Sequence, residues 1–139
     1  MKGNLLMTQS YLLIQTGYVL SGLIALAILC LGARFWMAPS IASSAFGIAN
    51  SPPPSSGFSA WLSVKGTRDI VTGFFVLLLI ANGSPRLLGE FMLVASLIAF
   101  GDMATVLRSG GSRALAIGMH GLTGLVIVAT GACLIFGAN

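Results

Sequence analysis

Five ionisable residues lie at spacings that could bring their side chains into one site: Lys65, Arg68, Asp69, Asp102 and His120. Lys65 and Asp69 are four positions apart, so on a helix they are neighbours that can form an ion pair. Arg68 would then lie on an adjacent face, from which it could reach Asp102 on another helix. Such pairing would offset the cost of placing charges in an apolar environment.

The chemistry that these residues favour is proton transfer. His120 is the side chain best suited to exchange a proton near neutral pH. With Asp69 or Asp102 it could form a proton donor and acceptor, while Arg68 holds an anionic or carbonyl oxygen. We therefore predict His120, Asp102, Asp69 and Arg68 as catalytic residues. The alternative is a structural salt-bridge network that only fixes how the helices pack.

Residues around this site are predicted to bind the substrate: Lys65, Arg34, Trp36, Trp61 and Thr123. Arg34 and Trp36 belong to the stretch 33–48, which mixes aromatic, aliphatic and small residues. That composition is typical of a segment lying at a membrane interface. The segment could cover the site as a lid for an apolar ligand, or it could serve only as an anchor.

No metal or cofactor is expected. One histidine and two separated cysteines give no ligand spacing typical of a metal or haem site. No redox or nucleotide motif occurs, which favours cofactor-free chemistry. The net charge of +4 comes from scattered cations without interleaved aromatic residues, so nucleic acid is not an expected partner.

The composition indicates where these polar residues are held. The chain is 56% hydrophobic and 7% charged, whereas about a quarter of the residues of a soluble domain are charged. Its outer surface is therefore expected to contact lipid. The sequence predicts a multi-pass integral membrane protein with a single domain, 1–139.

Four apolar stretches approach the length of about 20 helical residues that crosses about 30 Å of hydrocarbon. They are 11–31, 61–81, 87–107 and 114–136. Turn residues separate them, including the proline-rich stretch 51–57. The predicted fold is all-α, an up-and-down four-helix membrane bundle in which the ionisable residues share one level. By the positive-inside rule, that level lies towards the cytoplasm.

Small residues recur along the first and fourth predicted spans. They are Gly17, Ser21 and Ala25 on the first, and Gly121, Gly124 and Gly131 on the fourth. Such positions allow helices to approach closely. The contacts could form within the chain or between protomers, so a homo-oligomer through these faces is one prediction.

Four stretches of this sequence resemble the recurring blocks of a known family: "GARFWMAPSIASSAFGI", "KGTRDIVTG", "FGDMATVLRSGG" and "MHG". The family consists of small four-span membrane proteins known only as a domain of unknown function, similar in layout to the DoxX-like proteins. The resemblance covers about 32–124. It implies a four-helix membrane bundle and no particular reaction. Its recurring polar positions correspond here to Lys65, Arg68, Asp69, Asp102 and His120.

These observations favour a small membrane enzyme that acts on a lipophilic small molecule by cofactor-free acid–base chemistry. Isomerisation, cyclisation and epoxide opening all fit, so the enzyme would be an isomerase, a cyclase or a hydrolase. Its expected partners are membrane lipid and the lipophilic molecule. The alternative is a non-catalytic accessory subunit or a carrier of protons or small solutes, because ionisable residues inside a membrane also mark such pathways.

Overall fold

The structure, a computed structural model, describes residues 2–49 and 55–139. All regular secondary structure in these ranges is helical, which confirms the predicted all-α class. The elements are α1 (Lys2–Met37), α2 (Pro39–Phe46), α3 (Ser56–Asn82), α4 (Pro85–Arg108), α5 (Arg113–Leu115), a π-helical segment (Ala116–Gly121) and α6 (Leu122–Gly137). Most of the predicted proline-rich turn, 51–54, lies outside the described residues.

Serine caps begin three of the helices. The hydroxyls of Ser55, Ser84 and Ser112 each accept a hydrogen bond from the backbone N–H three residues later, at the start of α3, α4 and α5 respectively. Each cap satisfies one of the N–H groups that a helix leaves unpaired at its first turn. Gly83 ends α3 with φ of 77°, a left-handed conformation that glycine adopts without strain. The chain therefore reverses direction over two residues before α4.

Three helical stretches are long and apolar enough to cross a membrane, which indicates a multi-pass membrane protein. They are Leu6–Met37, Pro85–Arg108 and Arg113–Gly137. The predicted span 61–81 lies within α3, which is 27 residues long. However, every 18-residue stretch of α3 contains Lys65, Arg68 and Asp69, so its composition alone does not identify a span.

Two helix pairs pack most extensively, α1 with α3 and α4 with α6, and α1 also packs against α6. Each of the two pairs contains a contact between glycines. A Cβ on Gly32 of α1 would lie 2.7 Å from the carbonyl oxygen of Gly66 on α3, and a Cβ on Gly131 of α6 would lie 2.8 Å from that of Gly89 on α4. Only glycine therefore allows these backbones to approach so closely.

The small residues predicted to form helix contacts pack inside this chain. Gly17 faces Leu134 of α6, Gly124 faces Phe100 of α4, and Ser21 and Ala25 are fully buried. These faces are therefore occupied within one copy of the chain, and association of protomers through them stays a prediction.

By contrast, α3 and α4 pack only slightly against each other although a short turn joins them. Near that turn, Phe75 and Phe91 stack with their ring centroids 5.5 Å apart. At the other end, the two helices are connected by charged side chains. The core lies between α1, α3, α4 and α6, around Ala25, Val76, Leu88, Met92 and Leu134.

Candidate functional site

A closed set of four ion pairs connects α3 to α4. Lys65 Nζ lies 2.8 Å from Asp69 Oδ2 and 3.3 Å from Asp102 Oδ2. Arg68 Nη2 lies 3.2 Å from Asp69 Oδ1 and 3.4 Å from Asp102 Oδ1. Each cation therefore contacts both carboxylates. The Lys65–Asp69 and Arg68–Asp102 pairs were predicted, whereas the Lys65–Asp102 and Arg68–Asp69 contacts were not.

This network is formally neutral, and three of its four side chains are largely shielded, while that of Arg68 is 44% exposed. The side chains of Asp69 and Asp102 are 11% and 18% exposed, and that of Lys65 is 20% exposed. A buried charge that has lost its partner destabilises a protein by about 3 kcal/mol or more. Opposite charges can be buried together when each of them keeps a partner. The arrangement explains how α3 can carry three charged residues inside an apolar bundle.

Two aromatic rings complete the surroundings of Lys65. Its Nζ lies 4.9 Å from the ring centroid of Phe35 and 5.0 Å from that of Phe46. The negative π face of an aromatic ring attracts a cation at this distance. Phe35 is at the end of α1 and Phe46 is at the end of α2, and their rings meet edge to face with centroids 6.3 Å apart. Lys65 is therefore held by two acids and two rings.

His120 lies on the π-helical segment and contacts the same aromatic residue. Its Nε2 is 3.0 Å from the backbone carbonyl oxygen of Phe46, and the two rings are 4.7 Å apart at an angle of 57°. A carbonyl oxygen can only accept a hydrogen bond, so Nε2 must carry the proton. In the neutral imidazole, Nδ1 then holds the free lone pair. The geometry suits Nδ1 to accept a proton.

A second hydrogen bond holds the residue after Phe46. The N–H of Ser112 donates to the carbonyl oxygen of Gly47, 3.2 Å away. Adjacent carbonyls at the end of α2 are thus bonded to the segment that carries His120. This contact holds α2 against the bundle. α2 belongs to the stretch 33–48, for which a lid was one of the two predicted roles.

An elongated cavity of about 200 Å³ runs between the helices beside these groups. On α4 its lining extends from Met92 to Asp102, which is about 15 Å of helix. The ionisable lining residues lie towards one end: Arg34, Lys65, Asp69, Asp102 and His120. The rest of the wall is mostly aliphatic: Ile24, Ile28, Leu31, Val76, Met92, Ala95, Ile98, Ala99 and Ile127. The cavity therefore has a polar end and an apolar end.

The structure brings most, but not all, of the predicted site residues to this cavity. His120, Asp102, Asp69, Lys65, Arg34 and Thr123 line it. Arg68 contacts both carboxylates from outside the lining, and its side chain is 44% exposed. Trp61 is 75% exposed and does not line the cavity. Trp36 is also exposed and lies over Gly66 on the outer side of α1 and α3.

Among the residues that the structure describes, no direct contact joins His120 to an acid with which it could exchange a proton. Neither Asp69 nor Asp102 hydrogen-bonds to His120, whose partner there is the Phe46 carbonyl. Both acids instead bind the two cations. Arg68, which was predicted to hold a substrate oxygen, is likewise occupied by the two acids, while Lys65 is the cation of the network that faces the cavity.

Two features of the site were not predicted from the sequence. One is Phe46, whose carbonyl and ring both contact His120. The other is the π-helical segment, which carries His120. The sequence does hold a signal for this segment, since Gly118 and Gly121 lie on either side of His120 and glycine weakens a regular α-helix. π-Helical turns of this kind are frequent at functional sites.

Fold and site together define a small, all-helical protein with membrane-compatible helices and an amphipathic internal cavity. The chain belongs to the family described as Domain of unknown function (DUF4267), which matches residues 25–134. This range contains every residue of the charge network, together with His120 and Phe46. No curated protein and no solved structure matches the chain.

Proposed function

We propose that this protein is a four-span membrane enzyme that binds a lipophilic small molecule in the cavity and isomerises it by proton transfer, without a cofactor. The observation that carries the proposal is the position of His120, which lines the polar end of the cavity while a backbone carbonyl fixes its proton on Nε2. A cavity of about 150 Å³ is enough to bind benzene. At about 200 Å³, this one has room for a small apolar ligand.

The fourth span in this proposal is α3. Its 27 residues correspond to about 40 Å of helix, more than the roughly 30 Å of hydrocarbon. Its charges are paired with α4 and with each other, which is how ionisable groups are tolerated within a membrane. The resulting layout would resemble that of the DoxX-like proteins.

The proposed roles follow from what each side chain contacts. His120 Nδ1 takes a proton from a carbon next to a carbonyl of the substrate, and the electron pair moves towards the carbonyl oxygen. Lys65 stabilises the negative charge that develops on that oxygen. In a substrate with a carbon–carbon double bond next to the deprotonated carbon, the proton returns at the far carbon of that double bond, and the double bond moves next to the carbonyl, which completes the isomerisation. Asp69, Asp102 and Arg68 position Lys65 and do not touch the substrate.

A simple lipophilic ketone tests this chemistry without knowledge of the natural substrate. The protein in lipid nanodiscs is incubated with 2-decanone in D2O, and mass spectrometry measures deuterium at the carbons beside the carbonyl. We expect exchange well above that of empty nanodiscs. His120→Gln should reduce the increase about 100-fold, because general base catalysis contributes about 10²- to 10⁴-fold. Exchange at the rate of empty nanodiscs, or an unchanged rate in His120→Gln, would refute the proposal.

A pair of substitutions on α4 tests whether the reaction occurs in the cavity. Ala95 lines the cavity, whereas Leu97 is 66% exposed on the outside of the bundle. Ala95→Phe should fill the space and abolish exchange, and Leu97→Phe should leave it unchanged. Equal rates in both variants would mean that the reaction does not use the cavity. A protein that binds 2-decanone but exchanges no hydrogen would support the carrier or accessory alternative.

A further inference from the structure

Positive charge exceeds negative charge at the polar end of the cavity. The network of Lys65, Arg68, Asp69 and Asp102 contains two cations and two anions and is therefore neutral. Arg34 adds one further positive charge to the lining. Within 2–49 and 55–139, its guanidinium forms no ion pair. With His120 neutral, the lining and its network carry a net charge of +1.

Arg34 is itself exposed, but unlike the other exposed cations at this end it also lines the cavity. Arg34 is in the last turn of α1, next to Phe35, whose ring contacts Lys65. Arg108 and Arg113 are exposed cations in neighbouring elements at the same end of the bundle. They have no ion pair among the described residues either, but they do not line the cavity. Arg34 is thus an unpaired cation beside an apolar cavity.

We propose that the ligand is a single-chain lipophilic carboxylate, whose carboxylate binds Arg34 and whose chain fills the apolar end. An anion is favoured because it would neutralise Arg34, the one cation of the lining that has no acid partner among the described residues. A planar carboxylate matches the two parallel N–H groups of a guanidinium. A single chain is favoured because about 200 Å³ is too little space for the two chains of a phospholipid. The inference rests on the proposed function, since it names the substrate class of the same cavity.

Binding of three ten-carbon probes tests the inference. Decanoate, decan-1-ol and decylamine have the same chain with a negative, neutral or positive head. Their occupancy on the purified protein is measured by native mass spectrometry in a non-ionic detergent. We expect decanoate to bind about tenfold more tightly than decan-1-ol, because one hydrogen-bonded charge pair increases affinity by about that factor. Decylamine should bind least.

Three arginine variants locate the anion. Arg34→Gln should remove the preference for decanoate over decan-1-ol while leaving decan-1-ol binding unchanged. Arg108→Gln and Arg113→Gln should keep the preference to within about twofold, because exposed charges far from a ligand are screened. Equal binding of decanoate and decan-1-ol by the wild type would overturn the inference. So would a preference for decanoate that survives Arg34→Gln.

A two-chain anionic lipid distinguishes the cavity from the rim. Phosphatidic acid that binds better than decanoate, and loses affinity equally in Arg34→Gln and Arg108→Gln, would show a headgroup site on the surface and would overturn the inference. The 2-decanone exchange assay separates the two proposals, because decanoate binding requires no proton transfer. Selective decanoate binding without any 2-decanone exchange would leave this inference standing and refute only the proposed reaction.

Discussion

Replacing Asp69 with asparagine removes one negative charge from the network and leaves Lys65 and Arg68 with Asp102 alone. Asp69 is the most buried member, with a side chain that is 11% exposed, and it lies 2.8 Å from Lys65 and 3.2 Å from Arg68. The network would change from neutral to a net charge of +1. Asparagine keeps the size of the side chain, so the change in stability reports the charge.

The expected loss is about 3 kcal/mol in the free energy of unfolding. Breaking a buried pair costs about 3–5 kcal/mol because the remaining charge is left without compensation. We take the lower value because Asp102 still contacts both cations, at 3.3 and 3.4 Å. Lys65→Met, which leaves a net charge of −1, should cost a similar amount. Either loss is a large part of the roughly 5–15 kcal/mol that stabilises a typical domain.

The double variant Lys65→Met/Asp69→Asn restores neutrality and keeps the Arg68–Asp102 pair. It should therefore be no less stable than either single variant, which gives a coupling of about 3 kcal/mol or more between the two positions. Unfolding by SDS titration in mild detergent, followed by circular dichroism, measures all four proteins. The matched control is the exposed pair Arg86–Glu90 on α4, 3.1 Å apart, with side chains 64% and 53% exposed.

In the control pair, Arg86→Met and Glu90→Gln should show a coupling of only about 0.5 kcal/mol or less, because water screens exposed ion pairs. Losses at Lys65 and Asp69 that simply add in the double variant would refute the reasoning. The same conclusion would follow if Asp69→Asn cost less than about 1 kcal/mol, since the network would then behave like a surface pair.

Two further predictions concern the packing that holds the site. Gly131→Ala should cost about 1–3 kcal/mol, because its Cβ would lie 2.8 Å from the carbonyl oxygen of Gly89 and force α4 and α6 apart. Gly101→Ala on α4 is the control: nothing lies within 4 Å of its Cβ, so SDS titration should find equal or slightly higher stability. Ser21→Ala should be neutral or stabilising, because the fully buried Ser21 hydroxyl has no hydrogen-bond partner among the described residues. A loss above about 1 kcal/mol in that titration would show that the hydroxyl is bonded after all.

Spacing along one helix was enough to predict the local part of the site. Lys65 and Asp69, and likewise Arg86 and Glu90, are four residues apart, and both pairs form. The residues of the network were identified because charges are rare in such an apolar chain. The helical class and the membrane-compatible stretches followed from composition and length.

Contacts that depend on the path of the chain could not be predicted in this way. Phe46 meets His120 across 74 positions of sequence, and only the packing of α2 against the π-helical segment brings them together. A π-helical turn also departs from the regular period of 3.6 residues on which helix-face arguments rely. Trp36 and Trp61 were predicted to bind the substrate, but both are exposed in the structure. Aromatic character does not distinguish a cavity wall from a lipid-facing surface.

The orientation of His120 by the Phe46 carbonyl is the central claim, and nitrogen NMR can measure it directly. The chain contains one histidine, so histidine labelled with ¹⁵N gives the signals of a single imidazole. The spectrum of the neutral ring should show a proton on Nε2 and a bare Nδ1. The same sample of Ala95→Phe should show the same tautomer, because that substitution fills the cavity without touching the Phe46 carbonyl. A ring with its proton on Nδ1, or one that exchanges freely between the two tautomers, would contradict the account.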